Sequence, residues 1–220
     1  MPALETSAAR LAPMTAEDMA RARRVLMRRD PILARLVKQY GPCGIRTGRE
    51  TDIFCGLLEA IVSQQLSTRA GATIYGRLRA LMPEGGDPTP EALLALPDEA
   101  LRGAGLSRQK AAYARDLSGK VLNGSVDIAC LSAMEDEQIV AELTKIKGIG
   151  RWTVEMILIF RLTRPDVLPV ADLGIVKAIQ RAYGLRKAPD AKRILKLGES
   201  WRPYRSVASW YLWASLENKV

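Results

Sequence analysis

Apolar residues recur every three or four positions along almost the whole chain, the spacing that gathers them on one face of an α-helix. Ile53, Phe54, Leu57, Leu58, Ile61 and Val62 form the clearest set, and they mark a deeply buried helix that gives way to the polar stretch Ser63-Gln64-Gln65. Helix punctuation agrees with the periodicity. Thr15 with Asp18 reads as a capping box that opens a basic amphipathic helix from Ala16 to about Arg28. Asp30-Pro31 reads as an N-cap followed by proline in the first helical position, and Gly41-Pro42 stops that helix after Tyr40. Ser67 can cap a helix reaching Leu81, and Ser107 one from Arg108 to about Val121. Ser132 with Glu135 reads as a second capping box, opening a helix to about Lys145. Short helices are expected around Glu91–Leu94 and Asp98–Leu101. Asp172 stands in the N-cap position of a further pattern, Leu173 to Tyr183.

Strand signals are nearly absent: Ser125–Ile128 is the nearest candidate and is too short to build a sheet. The class is therefore all-α. Residues 41–50 read as loop, and Pro83 to Pro90, rich in proline and glycine, reads as a loop within a domain. Leu101-Arg102-Gly103-Ala104-Gly105 and Ile146-Lys147-Gly148-Ile149-Gly150 form a weak internal echo, each between two helices.

Composition narrows the chemistry. The 220 residues include 33 Lys and Arg against 24 Asp and Glu, a formal charge of +9, which points to a polyanionic partner, most often nucleic acid. Histidine is absent. That excludes Ser-His-Asp and Cys-His triads, a histidine acid or base, and His-ligated zinc. Cys43, Cys55 and Cys130 lie far apart, with no C-x-x-C pair, so neither a zinc site, an iron–sulfur cluster nor a disulfide framework is expected. Apolar runs such as Met156 to Phe160 are far too short to span a bilayer, and Met1 to Pro13 has no sustained apolar core. A soluble cytoplasmic protein is expected.

Chemistry concentrates in two segments. In Leu143 to Thr153 a helix ends, Gly148 and Gly150 allow positive φ, and a second helix starts at once. Such a turn leaves amide N–H groups exposed at a helix N-terminus, a phosphate site, with Lys145, Lys147 and Arg151 adding charge. In Arg164 to Ile175 two prolines are expected to break the preceding helix and Asp172 to cap the next, where the helix dipole favours a negative charge.

The segments KGIGRWT, PDVLPVADLG and WRPYRSVASWYLW, with DPILARLVKQYGPC and FCGLLEAIVSQQLSTRAGATIYGRL upstream, resemble the helix-hairpin-helix (HhH-GPD) DNA glycosylases. The nearest branch is 3-methyladenine DNA glycosylase II (AlkA-like), in a compact form without the large N-terminal β-domain of some members. The resemblance covers residues 30–215. It implies a two-lobed helical fold with the active site in the inter-lobe cleft. Residues 15–51 and 164–220 would form one lobe, 52–163 a central lobe ending in the hairpin, and 1–14 an unordered N-terminus. It further implies a monofunctional enzyme that hydrolyses the N-glycosidic bond of flipped-out alkylated purines in duplex DNA, with no membrane role, as a monomer in the cytoplasm, nucleoid-associated if bacterial. Asp172 would be the catalytic carboxylate, stabilising an oxocarbenium-like sugar and assisting water attack. Trp152, Met156, Trp210 and Trp213 would line the base pocket. Trp152 also stands where lyase-capable members carry a Schiff-base lysine. Gln64, Gln65 and Leu66 match the loop that intrudes into DNA. Lys145, Lys147, Gly148, Ile149, Gly150 and Arg151 would hold the backbone, with no required cofactor but a Na+ or K+ ion on the carbonyls of Thr144, Ile146 and Gly148. The rival readings are another base specificity (hypoxanthine, ethenoadenine or uracil) and a non-catalytic DNA-binding module.

Overall fold

Side-chain oxygens that accept from first-turn amides open most of the helices: Thr15, Asp30, Asp52, Ser67, Thr89, Ser107, Asp172 and Asp190 all serve in this way. The computed structural model describes residues 12–47 and 52–217. The helices are α1 Ala16–Arg29, α2 Pro31–Tyr40, α3 Ile53–Ser63, α4 Thr68–Ala80, α5 Pro90–Ala95, α6 Asp98–Gly103, α7 Arg108–Leu122, α8 Asp136–Leu143, α9 Arg151–Phe160, α10 Leu173–Ala182, α11 Ala191–Gly198 and α12 Arg205–Glu217. Short 3-10 turns occupy Pro83–Gly85, Leu131–Ala133 and Glu199–Trp201. Among the described residues there is no strand, and no helix is long and apolar enough to cross a membrane.

Two expectations shift. The second capping box is formed by Glu135 with Gln138, not Ser132 with Glu135, because fully buried Leu131 commits residues 131–133 to a 3-10 turn of their own. Ser125–Ile128 forms no strand, in keeping with its shortness, and Asp127 accepts from the amides of Ala129 (2.9 Å) and Cys130 (3.2 Å). Order begins before residue 15: Met14 is buried and its amide donates to the Thr163 carbonyl at 3.1 Å. Residues 1–11 and 48–51 lie outside the described residues.

The chain divides into two compact units. One takes the described residues up to 47 and those from Leu158 onward; the other runs from 52 to Ile157. The division falls inside α9 rather than after residue 163. The last turn of α9 buries Leu158 and Ile159, and the Leu158 carbonyl accepts from the amide of Arg164 at 2.8 Å.

In the first unit Leu26, Leu33, Ile175, Ile179, Val207 and Leu212 form a fully buried core. Asp30 is its polar centre. Oδ1 accepts from the amides of Ile32 (2.9 Å) and Leu33 (3.1 Å), while Oδ2 accepts from the Trp201 indole (2.9 Å) and from the Tyr183 hydroxyl. Burial and this bond push the Tyr183 phenol well above its usual range, so it remains a donor. A second tie holds the segment ahead of Asp172. Asp166 receives Arg202 (2.6 Å) and Arg205 (2.7 Å), and Ser206 donates to the Arg164 carbonyl (2.6 Å) while accepting from the Val167 amide (3.0 Å). In the second unit α3 packs against α4 and α7, and α5 against α7, around Leu57, Leu58, Ile61, Leu78, Leu93, Leu101 and Leu117.

Replacing Asp30 by Ala removes a helix cap and leaves a buried phenol and indole without an acceptor. The cap is worth about 1 kcal/mol and each stranded donor about 1 kcal/mol or more. Urea unfolding of Asp30→Ala should therefore show a loss of about 3 kcal/mol.

Candidate functional site

Helix α9 ends at Phe160, ahead of Pro165 and Pro169 rather than at them as expected, and Asp172 starts the next. Its amide donates to the Pro169 carbonyl at 3.0 Å, which turns the chain into α10. Asp172 Oδ1 then accepts two hydrogen bonds, from the Ile175 amide (2.7 Å) and the Trp213 indole (2.8 Å). The carboxylate is only partly buried. It sits at the positive end of a helix dipole, where a negative charge is stabilised. Gly174 makes this possible: a Cβ there would lie 2.9 Å from Asp172 Oδ1 and 3.0 Å from the Trp213 ring. Leu173, beside the carboxylate, is 72% exposed.

Trp213 was expected as a wall of the base pocket; the structure makes it a donor to Asp172 and stacks it on Phe160, with centroids 5.7 Å apart. Trp210, one turn earlier, packs elsewhere. It meets Tyr211 edge-on at 5.0 Å, and a Cβ on Gly44 would lie 2.8 Å from its ring. On α9, Trp152, Met156 and Phe160 are spaced four apart and share one face. Trp152 is 48% exposed and Phe160 is also exposed, which is uncommon for such large apolar groups on one stripe. Phe160 was not singled out in the sequence, although its spacing from Met156 was the available signal.

The hairpin joins α8 to α9. Gly148 adopts φ +82°, and a Cβ there would lie 2.2 Å from the Tyr113 ring of α7, so no other residue fits. Gly150 does not have a positive φ, contrary to expectation. The space where its side chain would be is open, which exposes the first amides of α9 to an approaching anion. Ile149 turns its side chain inward and is buried, so only its main chain faces outward. The three cations each have an acidic partner: Lys145 with Glu142 at 2.5 Å, Lys147 with Asp116 at 3.8 Å, and Arg151 bidentate with Glu137 at 2.8 and 2.7 Å. Asp116 also accepts the Lys147 amide at 2.8 Å and Lys120 at 2.8 Å. Burial alone would raise its pKa; the bonds to Lys120 and Lys147 outweigh that and hold it below the usual carboxylate value. The expected local surplus of charge is therefore largely offset.

The loop Gln64-Gln65-Leu66 hangs from two supports. Lys110 donates to the carbonyls of Val62 (2.7 Å) and Gln64 (2.8 Å), closing the end of α3, and the Gln64 amide donates to the Gly148 carbonyl at 2.7 Å. Burial lowers the Lys110 pKa. Gln65, at φ +58°, is a strained non-glycine residue, and next to it Leu66 is 41% exposed. Lys110 carried no sequence signal, because its acceptors are main-chain atoms.

Thiol nucleophiles are poorly served. Burial pushes Cys43 and Cys55 up to about 11, and the bond to Asp127 raises Cys130, so all three stay protonated near neutral pH. Among the described residues no three His, Cys, Asp or Glu side chains gather closely enough to hold a metal ion.

Known proteins resemble this arrangement. The sequence model of the HhH-GPD superfamily of base excision DNA repair proteins matches residues 58–203. DNA-3-methyladenine glycosylase 1 of Schizosaccharomyces pombe is 35% identical over 182 residues, which is 82% of this chain and 79% of that protein. The solved structure of the Schizosaccharomyces pombe 3-methyladenine DNA glycosylase in complex with abasic DNA superimposes with a TM-score of 0.80 at 33% identity, covering 90% of this chain and 98% of that one. DNA-3-methyladenine glycosidase from Bacillus halodurans gives a TM-score of 0.76 at 36% identity, covering 90% of this chain and 89% of that one.

The two reasons for glycine at 148 can be separated. Gly148→Ala should cost at least about 2 kcal/mol, of which about 1 kcal/mol is the left-handed backbone. In a Tyr113→Ala background the same substitution should cost only that backbone share, read from paired denaturant melts.

Proposed function

The chain belongs to the HhH-GPD superfamily of base excision DNA repair proteins, and on that premise we propose that it is a monofunctional DNA glycosylase. It hydrolyses the N-glycosidic bond of flipped-out alkylated purines, 3-methyladenine and 7-methylguanine, in double-stranded DNA. The observation that carries the reading is Asp172: a partly exposed carboxylate at a helix N-terminus, fixed by two donors on Oδ1.

The chemistry follows from that carboxylate. An N-alkylated purine is cationic, so when the C1′–N bond breaks the electron pair leaves with the base and the base departs neutral. The positive charge passes to the sugar, where the Asp172 carboxylate stabilises it. Water then adds to C1′ and gives its proton to Asp172. No general acid is required, which suits a chain without histidine. The exposed face of Trp152 supports a cationic base through its ring electrons, with Met156 one turn further along the same stripe. An indole forms no Schiff base, so Trp152 gives no lyase activity.

Backbone binding falls to the hairpin. The open space at Gly150 and the first amides of α9 receive a phosphate, and Lys145, Lys147 and Arg151 exchange their acidic partners for it. The carbonyls of Thr144, Ile146 and Gly148 are the hard oxygen donors that Na+ or K+ takes. Ile146 already accepts from the Ile149 amide (3.1 Å) and Gly148 from Gln64 (2.7 Å), so each retains one lone pair and the set fits such an ion. A bound ion supplies positive charge toward the phosphate. Leu66, carried on the strained turn at Gln65, fills the gap that the flipped nucleotide leaves. The enzyme works as a monomer where the DNA is, in the cytoplasm, at the nucleoid in a bacterial cell.

Wild-type protein should release 3-methyladenine or 7-methylguanine from methylated duplex DNA, and Asp172→Asn should release neither while still binding the duplex. Binding without release of any damaged base by the wild type would leave only a DNA-binding module. Borohydride should trap no covalent protein–DNA adduct; a trapped adduct would contradict the monofunctional reading. Trp213→Phe keeps a ring against Phe160 but removes the donor to Asp172. A hydrogen bond to a charged group is worth about 1.5 kcal/mol, so single-turnover release should slow about tenfold with DNA affinity unchanged.

A further inference from the structure

Positive charge is divided unequally along the chain. Residues 51–157, which include the hairpin, carry 11 Lys and Arg against 14 Asp and Glu; the remaining residues carry 22 against 10. The surplus that points to a polyanion therefore lies outside the unit with the hairpin. Two stretches of it stand out: residues 21–46, with eight Lys and Arg against Asp30, and residues 173–198, where Lys177, Arg181, Arg186, Lys187, Lys192, Arg193 and Lys196 face a single acid, Asp190. All seven are exposed, and among the described residues none of their side chains has an acidic partner, unlike the three hairpin cations.

The placement is ordered. Lys177 and Arg181 are one turn apart on α10, and Lys192 and Lys196 one turn apart on α11. The opposite faces bury Ile175, Ile179 and Ile194. Arg35 of α2 reaches the Ala182 carbonyl at 3.5 Å and adds an eighth cation at the end of α10. Like charges one turn apart repel, and the acid among them, Asp190, is engaged in capping α11 through the Arg193 amide at 2.8 Å. A regular array of phosphates turns that repulsion into attraction. Ile194 is buried within the core, and the one large apolar group that α11 exposes is Leu195, at 44%, set between Arg193 and Lys196 and too little by itself to anchor in a lipid surface.

We propose that the exposed face of α10 and α11, with the turn between them, is a second DNA-docking surface that grips the phosphates of a separate duplex segment. The proposal rests on the glycosylase reading for one point, that Asp172 meets the reacting sugar. Asp172 is at the N-terminal end of α10 and Arg181 near its C-terminal end, nine residues and about 13.5 Å along the axis. A helix whose N-terminus meets the sugar points its other end away from that duplex, and α11 follows from there. The patch thus engages other DNA while the lesion is held, which lets the enzyme pass between segments.

The test uses full-length protein and the triple variant Lys192→Gln, Arg193→Gln, Lys196→Gln, whose thermal melt should match wild type because all three side chains are exposed. Protein saturated with an immobilised short duplex bearing an abasic analogue is offered a labelled undamaged duplex. Wild type should capture it and the variant about tenfold less. The slope of log affinity for undamaged duplex against log salt should fall by about 2 to 3 for three lost phosphate contacts. Single-turnover base release from a saturating short methylated duplex should be equal in both. Failure of wild type to capture a second duplex, or equal capture by the variant, overturns the proposal. So does a parallel loss of base release, which would put the patch in the lesion site. Binding of anionic vesicles in place of the second duplex would make it a membrane surface instead. Capture without base release by wild type would sink the glycosylase reading and leave this surface standing.

Discussion

One oxygen atom sets the geometry of the candidate site. Oδ1 of Asp172 is shared by the Ile175 amide and the Trp213 indole, and both bonds depend on the missing Cβ of Gly174. A carboxylate held by a single donor can swing; one held by two, from different helices, cannot without breaking a charge-assisted bond. The helix α12 does this twice over. Ser206 binds the strap at Arg164 and Val167, and Trp213, seven residues later on the same face, binds its end at Asp172. The strap is therefore clasped at both ends by one helix, and Phe160 supports the clasp by stacking on Trp213. What looks like an ordinary helix cap is in this setting a rigidly aimed negative charge.

The sequence made the helices legible because periodicity and capping chemistry are local. Asp30, Ser67, Ser107 and Asp172 each announce a helix start within four residues, and each does open one. The second capping box slipped by one turn because the deciding force, the burial of Leu131, is tertiary. The two hairpin glycines looked alike in sequence, yet Gly148 is needed for φ and for Tyr113, 35 positions away, while Gly150 leaves open space. Asp172 was legible as a cap and by resemblance. Its bond to Trp213 was not, since nothing in a string of residues says that an indole 41 positions later will supply a donor. Lys110 was invisible for the same reason.

Net charge is the instance where the sum misled about the place. The total of +9 drew attention to the hairpin, where three cations stand close together. Folding brings Glu142, Asp116 and Glu137 to those cations, so in the free protein the hairpin offers amide donors and shape with little surplus charge. Of these pairs Arg151–Glu137 is exposed on both sides, and such a pair is worth about 0.2–1 kcal/mol, little enough for a phosphate to replace the acid. It keeps the cation in position without holding it strongly. Much of the surplus sits on α10 and α11 instead, so on the proposed reading shape-directed and charge-directed binding are carried by different helices.

The same absence of acids bears on which bases can leave. With no histidine in the chain and with Cys43 and Cys55 pushed up to about 11 by burial, neither imidazole nor thiol stands ready as a proton donor of neutral pKa beside the carboxylate. A neutral base such as uracil or hypoxanthine departs as an anion unless something protonates it, and an anion leaving toward the Asp172 carboxylate is opposed by that charge. A cationic alkylpurine departs neutral, and the same carboxylate favours its departure by stabilising the sugar cation left behind. On the proposed mechanism the fixed charge would discriminate by itself, favouring loss of bases already positive and giving little help to the rest. In that proposal an exposed indole such as Trp152 would add to the preference, because an aromatic ring binds a cation more tightly than a neutral base.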